Sequence, residues 1–297
     1  MTISAIILTY NEEKHIRRCI ESLRPFVDQV YIMDSYSTDN TLDILGEYHF
    51  IQIKQQKFVN HATQFNTALR VFNITTDWVI RIDADEYIDK KLANWISSNL
   101  GSLDSATTGV YVNRYMTFMG RLLEYGGMSS YWMLRIWRNG VGQCEQRWMD
   151  EHIVLSHGNT AKAEGRLIDD NLNTLSWWSH KHVDYSTREA IDVLLKDKSD
   201  YSQIKPSFFG VKAERTRYLK QKYNRLPLFI RPFFYFIHRY FFQLGLRDGK
   251  EGFLWCILQG FWYRTMVDAK VYELKKTAIN EQKSLAEVVK EKYGYEI

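Results

Sequence analysis

Proline is nearly absent from this chain, with four in 297 residues, so long elements and large apolar surfaces are expected. Cysteine is equally sparse. Cys19, Cys144 and Cys256 are odd in number, widely spaced and without a CxxC pair. Neither a disulfide framework nor a zinc site is expected, and a reducing cytoplasm is the simplest home. No apolar run reaches the roughly 18 to 20 residues that a membrane span requires. The opening stretch Met1 to Thr9 lacks a basic n-region and reads as a strand, not a signal peptide. Gly/Ser linkers, low-complexity tracts and internal repeats are also missing.

Aromatic residues are abundant, at 15%. With 45% hydrophobic residues the chain can bury a sizeable core, and disorder is excluded. The net charge of +4 conceals an asymmetry: between Lys205 and Lys250, eleven Lys and Arg face only Glu214 and Asp248. That block is strongly cationic and the remainder net acidic, so the block is expected to meet an anionic partner.

Ile3 to Thr9 is rich in β-branched residues, and Asn11 with Glu12 and Glu13 supplies a cap and first-turn acids for a helix to about Leu23. A strand from Gln29 to Met33 ends in Asp34, and a short helix follows with Leu42 and Leu45 on one face, ended by Gly46. A short strand from Ile51 to Ile53, a helix from Val59 to Phe72 and a strand from Trp78 to Ile82 complete an alternating pattern. Such alternation predicts an α/β fold with a doubly wound, mostly parallel, Rossmann-like sheet. Ligands bind outside the carboxyl ends of such strands. Asn11, Asp34 and Asp83 all stand at those ends. From Gly109 the pattern changes to short runs with glycine turns, read as antiparallel strands, and after Asp184 it becomes helical. Residues 1–200 are read as the sheet domain, and 201–297 as a basic, aromatic-rich helical region packing on it.

The stretch Val79-Ile-Arg-Ile-Asp-Ala-Asp-Glu-Tyr-Ile-Asp89 delivers four carboxylates after an apolar run. Positions i and i+2 of an extended chain share a face, so Asp83 and Asp85 can reach one side together. Mg²⁺ or Mn²⁺ is commonly held by one or two carboxylates plus substrate phosphates. Glu86 and Asp89 are read as the start of the next helix, where acids are favoured.

Thr9-Tyr-Asn-Glu-Glu13, Asp34-Ser-Tyr-Ser-Thr-Asp-Asn-Thr41 and Asp83-Ala-Asp-Glu86 resemble, in order and separation, the nucleotide-site motifs of the family 2 glycosyltransferases, which have the GT-A fold. Gly245-Leu-Arg-Asp-Gly-Lys-Glu-Gly-Phe253 is similar to the C-terminal signature of the subgroup that adds hexoses to lipopolysaccharide core or other lipid-linked glycans. The resemblance implies that Thr9, Asn11 and Glu12 line the base and ribose pocket and that Asp34 bonds the uracil edge. Asp83 would approach the ribose or metal, and Asp85 would be the metal ligand. Gln64 and Asn66 match a less specific motif of the family. In Trp148-Met-Asp-Glu-His152 the resemblance implies a general base for an inverting displacement, with Asp150 the first choice and Glu151 the second. Gln143, Arg147 and Trp148 depart from the Q-x-x-R-W spacing of processive members, so transfer of a single sugar is favoured. Histidines 152, 157, 180 and 182 fit no zinc pattern; His152 or His180 could contact diphosphate or acceptor, and Arg135 and Lys198 could neutralise phosphate.

The run Leu226 to Phe242 is too broken by Pro227, Arg231 and Pro232 to span a bilayer. With Gly252 to Tyr263 it reads as helices lying in an anionic membrane interface, against the alternative of core or dimer packing. No nucleic-acid module is present. The expectation is an enzyme, peripheral on the cytoplasmic face of the cell membrane. It would move a hexose, glucose as first choice, from a UDP-sugar to a lipid-linked saccharide or lipopolysaccharide, with Mg²⁺ or Mn²⁺. A nucleotidyltransferase acting on a sugar phosphate and a non-catalytic sugar-nucleotide or membrane-binding protein are the alternatives.

Overall fold

The computed structural model describes residues 1–128, 131–145, 152–195 and 222–295. The chain divides into two compact units, one of residues 1–124 and 128–172, the other of 125–127 and 173–297.

The first unit begins with four parallel strands, β1 (Ile3–Thr9), β2 (Gln29–Asp34), β3 (Ile51–Gln55) and β4 (Trp78–Arg81), ordered β3-β2-β1-β4. Helices α1 (Ile16–Leu23), α2 (Thr41–Gly46) and α3 (His61–Val71) connect them. In β1, Ile3, Ala5 and Ile7 pack with Ile16, Cys19, Ile20 and Leu23 of α1, while Ile6 packs with Ala62, Phe65 and Ala68 of α3. That alternation covers both faces, as a central parallel strand requires. The strand order reverses between β1 and β4, which places a crevice at their carboxyl ends.

The sheet then changes sense. After β5 (Glu86–Ile88) and α4 (Lys90–Asn99) come β6 (Thr107–Phe118), β7 (Arg121–Leu123), β8 (Tyr131–Arg138), β9 (Gly142–Cys144), β10 (Ile153–Leu155), β11 (Asn159–Lys162) and β12 (Leu167–Asp169). β8 joins β4 antiparallel, and the order continues β8-β6-β12-β5; β7 and β11 also pair with β6, and β9 with β10 forms a separate hairpin. Arg114 of β6 and Arg135 of β8 therefore reach the acids that follow β4, with Asp169 of β12 beside Arg114.

Two local expectations change. Asn11 does not cap α1, which starts at Ile16. Asn11 instead adopts a left-handed backbone, φ 56°, and its side chain accepts from Thr38 N at 2.8 Å. Asp89 does cap α4, accepting from Leu92 N at 2.7 Å, but Glu86 lies in a strand and is fully buried.

In the second unit α5 (Leu175–Leu195) packs with α8 (Tyr263–Glu281), through Ala190, Tyr263, Val267 and Val271. α6 (Arg231–Ile237) runs into a wider turn at His238–Phe242, and α7 (Gly249–Trp255) continues through a similar turn, Cys256–Trp262, into α8. α9 (Leu285–Tyr293) starts with a reciprocal Ser284/Glu287 cap. The Gly245–Phe253 signature is a packing knot. A Cβ on Gly245 would come within 2.8 Å of Cys256 Sγ and 3.0 Å of Arg239 O, and one on Gly252 within 2.5 Å of Gly245 O. Asp248 closes the knot by accepting from Tyr125 N at 2.8 Å. Among the described residues no helix is long and apolar enough to cross a membrane.

Candidate active site

The loops after β1 and β2 are laced together. Asn11 N donates to Ser37 Oγ at 2.9 Å, Glu12 N to Thr41 Oγ1 at 2.7 Å, and Glu13 N to Asp39 Oδ2 at 3.1 Å. Asp34 is fully buried beneath them. Its carboxylate accepts from Thr9 Oγ1 at 2.9 Å, Ser37 N at 2.9 Å, Ser37 Oγ at 2.5 Å and Gln55 Nε2 at 3.1 Å. Burial raises its pKa, but the hydrogen bonds from Ser37, Gln55 and Thr9 outweigh that and hold it below the usual carboxylate range. Thr9 and Asp34 thus tie the carboxyl ends of β1 and β2 together. Tyr10 and Tyr36 follow these strand ends, both more than half exposed, and Tyr36 has φ 63°. The signal for these two rings in the sequence is an aromatic residue close after each polar strand end.

The acidic cluster at the end of β4 is sorted by its partners. Asp83, 39% exposed, lies 3.2 Å from Arg135 Nη2 and 3.5 Å from Arg81 Nε. Burial raises its pKa, yet Arg135 and Arg81 hold it well below the ordinary range. Glu86 accepts from Arg135 Nη2 and Arg114 Nε, both at 2.8 Å, and burial pushes its pKa up. Asp85 is half-buried and turned elsewhere, accepting from Asn171 Nδ2 at 3.1 Å. Its carbonyl accepts from Asp170 N at 3.1 Å. Arg18 pairs with Asp170, and Arg114 with Asp169. Burial, resisted by Arg114, pushes Asp169 up to about 7. The acids at 169 and 170 also follow a short apolar run, Leu167-Ile168, the same pattern that marked Asp83.

A divalent cation fits this arrangement through Asp85. Asp83 is already compensated by two guanidinium groups, and among the described residues no three carboxylate, imidazole or thiolate groups converge as a metal cage. A single well-placed carboxylate completed by diphosphate oxygens is a common arrangement for Mg²⁺.

Gln64 and Asn66 point to different tasks. Gln64 is buried and donates to Ser35 Oγ at 2.7 Å, behind the β2 loop. Asn66 holds both backbone groups of Cys144, donating to its carbonyl at 2.8 Å and accepting from its N–H at 2.9 Å. It anchors the β9 hairpin strand that leads toward residues 146–151. Asp150, Glu151, Arg147, Trp148 and Lys198 lie outside the described residues. His152 contacts Glu145 Oε1 at 3.1 Å, and His182 stacks on Trp178 at 3.6 Å.

The chain is 26% identical to the lipopolysaccharide core biosynthesis glycosyltransferase LpsC of Rhizobium meliloti, over 92% of this chain and 93% of that one. It is 24% identical to the prophage-derived glycosyltransferase SunS of Bacillus subtilis, over 68% of this chain but only 54% of that relative's length. Among solved structures, the mannosyltransferase PcManGT of Pyrobaculum calidifontis, in complex with GDP-Man and Mn²⁺, aligns over 95% of this chain and 88% of its own at 15% identity, with a TM-score of 0.46. The family model described as Glycosyl transferase family 2 matches residues 4–158, which holds the loops after β1, β2 and β4 within one profile, and the chain belongs to that family.

Proposed function

We propose that the protein is an inverting glycosyltransferase that moves a hexosyl group from a UDP-sugar to a hydroxyl of a lipid-linked saccharide or lipopolysaccharide. One observation carries this reading: at the β1/β4 switch point Asp83 pairs with Arg81 and Arg135, whereas the Asp85 side chain meets the neutral amide of Asn171, which makes Asp85 the carboxylate we assign to a cation. The family supports the activity, and the likeness to LpsC supports a glycolipid acceptor.

Thr9, Asp34, Tyr10 and Tyr36 would receive the nucleoside, a flat ring over an aromatic face. The paired loops, fixed by their hydrogen bonds, hold the donor so that attack needs little further ordering. Asp85 would hold a divalent cation, whose positive charge would offset the charge that develops on the departing diphosphate. The acceptor oxygen bonds to the anomeric carbon from the face opposite the diphosphate, the sugar–diphosphate bond breaks, and its electron pair departs with UDP. The hydroxyl proton goes to a carboxylate of the 146–152 segment, Asp150 before Glu151. UDP release from a panel of UDP-hexoses, with Mn²⁺ or Mg²⁺ and an acceptor extract, tests this. Metal-dependent release stimulated by acceptor is expected; no release from any UDP-hexose overturns it.

A further inference from the structure

The second unit carries a helix built inside out. Along α6 and the turn that continues it, Ile230, Phe233, Phe234, Phe241 and Phe242 face water at 51, 52, 58, 49 and 76% exposure. Their spacing, 230, 233/234 and 241/242, keeps them on one stripe of a helix. The charged residues of the same segment point inward. Arg231 Nε donates to Asp268 Oδ1 at 2.8 Å, and Arg239 Nε donates to Gly126 O at 2.7 Å. Both guanidinium groups are buried. In a helix that faces water the charges lie outside and the rings inside; here the assignment is reversed over three turns. The two arginines expected to decorate a basic surface therefore do not.

Cations do frame the stripe. Lys222 and Arg225 precede it, Arg247 and Lys250 follow it, and all four are exposed, whereas Asp248 is buried and Glu251 half-buried. Phe253 extends the apolar surface, 5.5 Å from the Tyr240 ring, which lies 5.0 Å from Phe241. We propose that this stripe, from Ile230 to Phe242 with Phe253, is the surface by which the chain docks on an anionic lipid bilayer. Rings would enter the acyl boundary and Lys222, Arg225, Arg247 and Lys250 would meet lipid phosphates. A non-spanning segment with aromatic residues outward and cations at both ends suits an interface, and a protein partner would have no need of cations on both flanks. The inference does not depend on the transferase reading.

The test is co-sedimentation of the full chain with equimolar phosphatidylglycerol/phosphatidylcholine vesicles and with pure phosphatidylcholine. Binding to the anionic vesicles that weakens with salt is expected, with about tenfold loss or more for each of Phe234→Glu and Phe242→Glu. UDP binding and melting midpoint should stay unchanged, because both side chains are already in water. A second readout does not rely on loss. Phe242→Cys carries an environment-sensitive dye, labelled selectively because Cys19, Cys144 and Cys256 are buried, and its emission should shift to the blue on adding anionic vesicles. No binding to either vesicle, equal binding by the glutamate variants, or an unshifted dye overturns the proposal. So does sedimentation velocity showing a dimer that the Phe242→Glu chain fails to form, which would assign the stripe to a second copy of the chain.

Discussion

Asp83 and Asp85 stand two residues apart and meet opposite surroundings. Asp83 lies against Arg135 and Arg81, so it belongs to the charge balance of the protein; the Asp85 side chain accepts from the neutral Asn171 amide and is the one proposed to take a cation. Asp85→Asn is therefore expected to lower transfer by two orders of magnitude or more with little change in melting temperature. Asp83→Asn should instead lower stability by about 1 to 2 kcal/mol, since it strips a counter-charge from buried arginines. Comparing rates and denaturant midpoints of the two variants reads the contrast, and equal stability losses would contradict it. Asp34 gives a pH prediction. Its folded pKa is lowered despite burial, because hydroxyl and amide donors outweigh desolvation. Its contribution is present above the ordinary carboxylate pKa of about 3.9 and is lost as pH falls through the lower folded value. The stability gap between the wild type and Asp34→Asn should be constant near neutrality and shrink below about pH 4. The pair at 83 and 85 was legible because an apolar run followed by acids marks a strand end. Their division of labour was not, since Arg135 reaches Asp83 and Asn171 reaches Asp85 from far along the chain, and pairing register is invisible in one sequence.

At the scale of elements, local signals served where the partner was local. Leu45 of α2, Phe65 of α3 and Phe72 just after α3 are buried where periodicity placed apolar residues, while α3 starts at His61, capped by Asn60, two residues after the expected Val59. Asn11 escaped that logic because a tertiary partner, the β2 loop, outcompeted the first turn of α1 for its side chain. Glu86 escaped it because β12 claims its backbone as a strand, through Asp169↔Glu86 pairing. Residues 175 to 184 of α5 also lie before the helical stretch expected after Asp184, and the unit boundary at 172 to 173 falls ahead of the expected one at 200. Two substitutions separate a local cap from a tertiary tie. Asp89→Ala removes the α4 cap and should cost about 1 kcal/mol. Asp268→Ala leaves Arg231 buried without its carboxylate and frees Phe229 N, and should cost about 3 to 5 kcal/mol. Urea melts of both variants give the ratio, and an Asp268→Ala chain as stable as Asp89→Ala would show that Arg231 finds another partner.

For the whole molecule, charge is the property that one sequence reports directly, and here its sum of +4 hides a cationic segment on an otherwise acidic chain. The proposed nucleotide site lies within the acidic part, where Asp83, Asp85, Glu86, Asp169 and Asp170 gather with Arg18, Arg81, Arg114 and Arg135. A dianionic diphosphate entering there gains little from the arginines, which are already paired, so its binding should depend on an added cation. That dependence is measurable through stability. A ligand that binds only the folded chain stabilises it by RT ln(1 + [L]/Kd), about 2.7 kcal/mol at a hundredfold excess over Kd, which for a chain of this size is on the order of 5 to 10 °C in midpoint. UDP with Mn²⁺ should produce that rise, UDP with EDTA should produce almost none, and Mn²⁺ alone should have a small effect because a single carboxylate binds it weakly. The Asp85→Asn chain should show no synergy between UDP and Mn²⁺ while retaining the wild-type midpoint without ligand. A full shift in EDTA would mean that the arginines, not a cation on Asp85, receive the diphosphate.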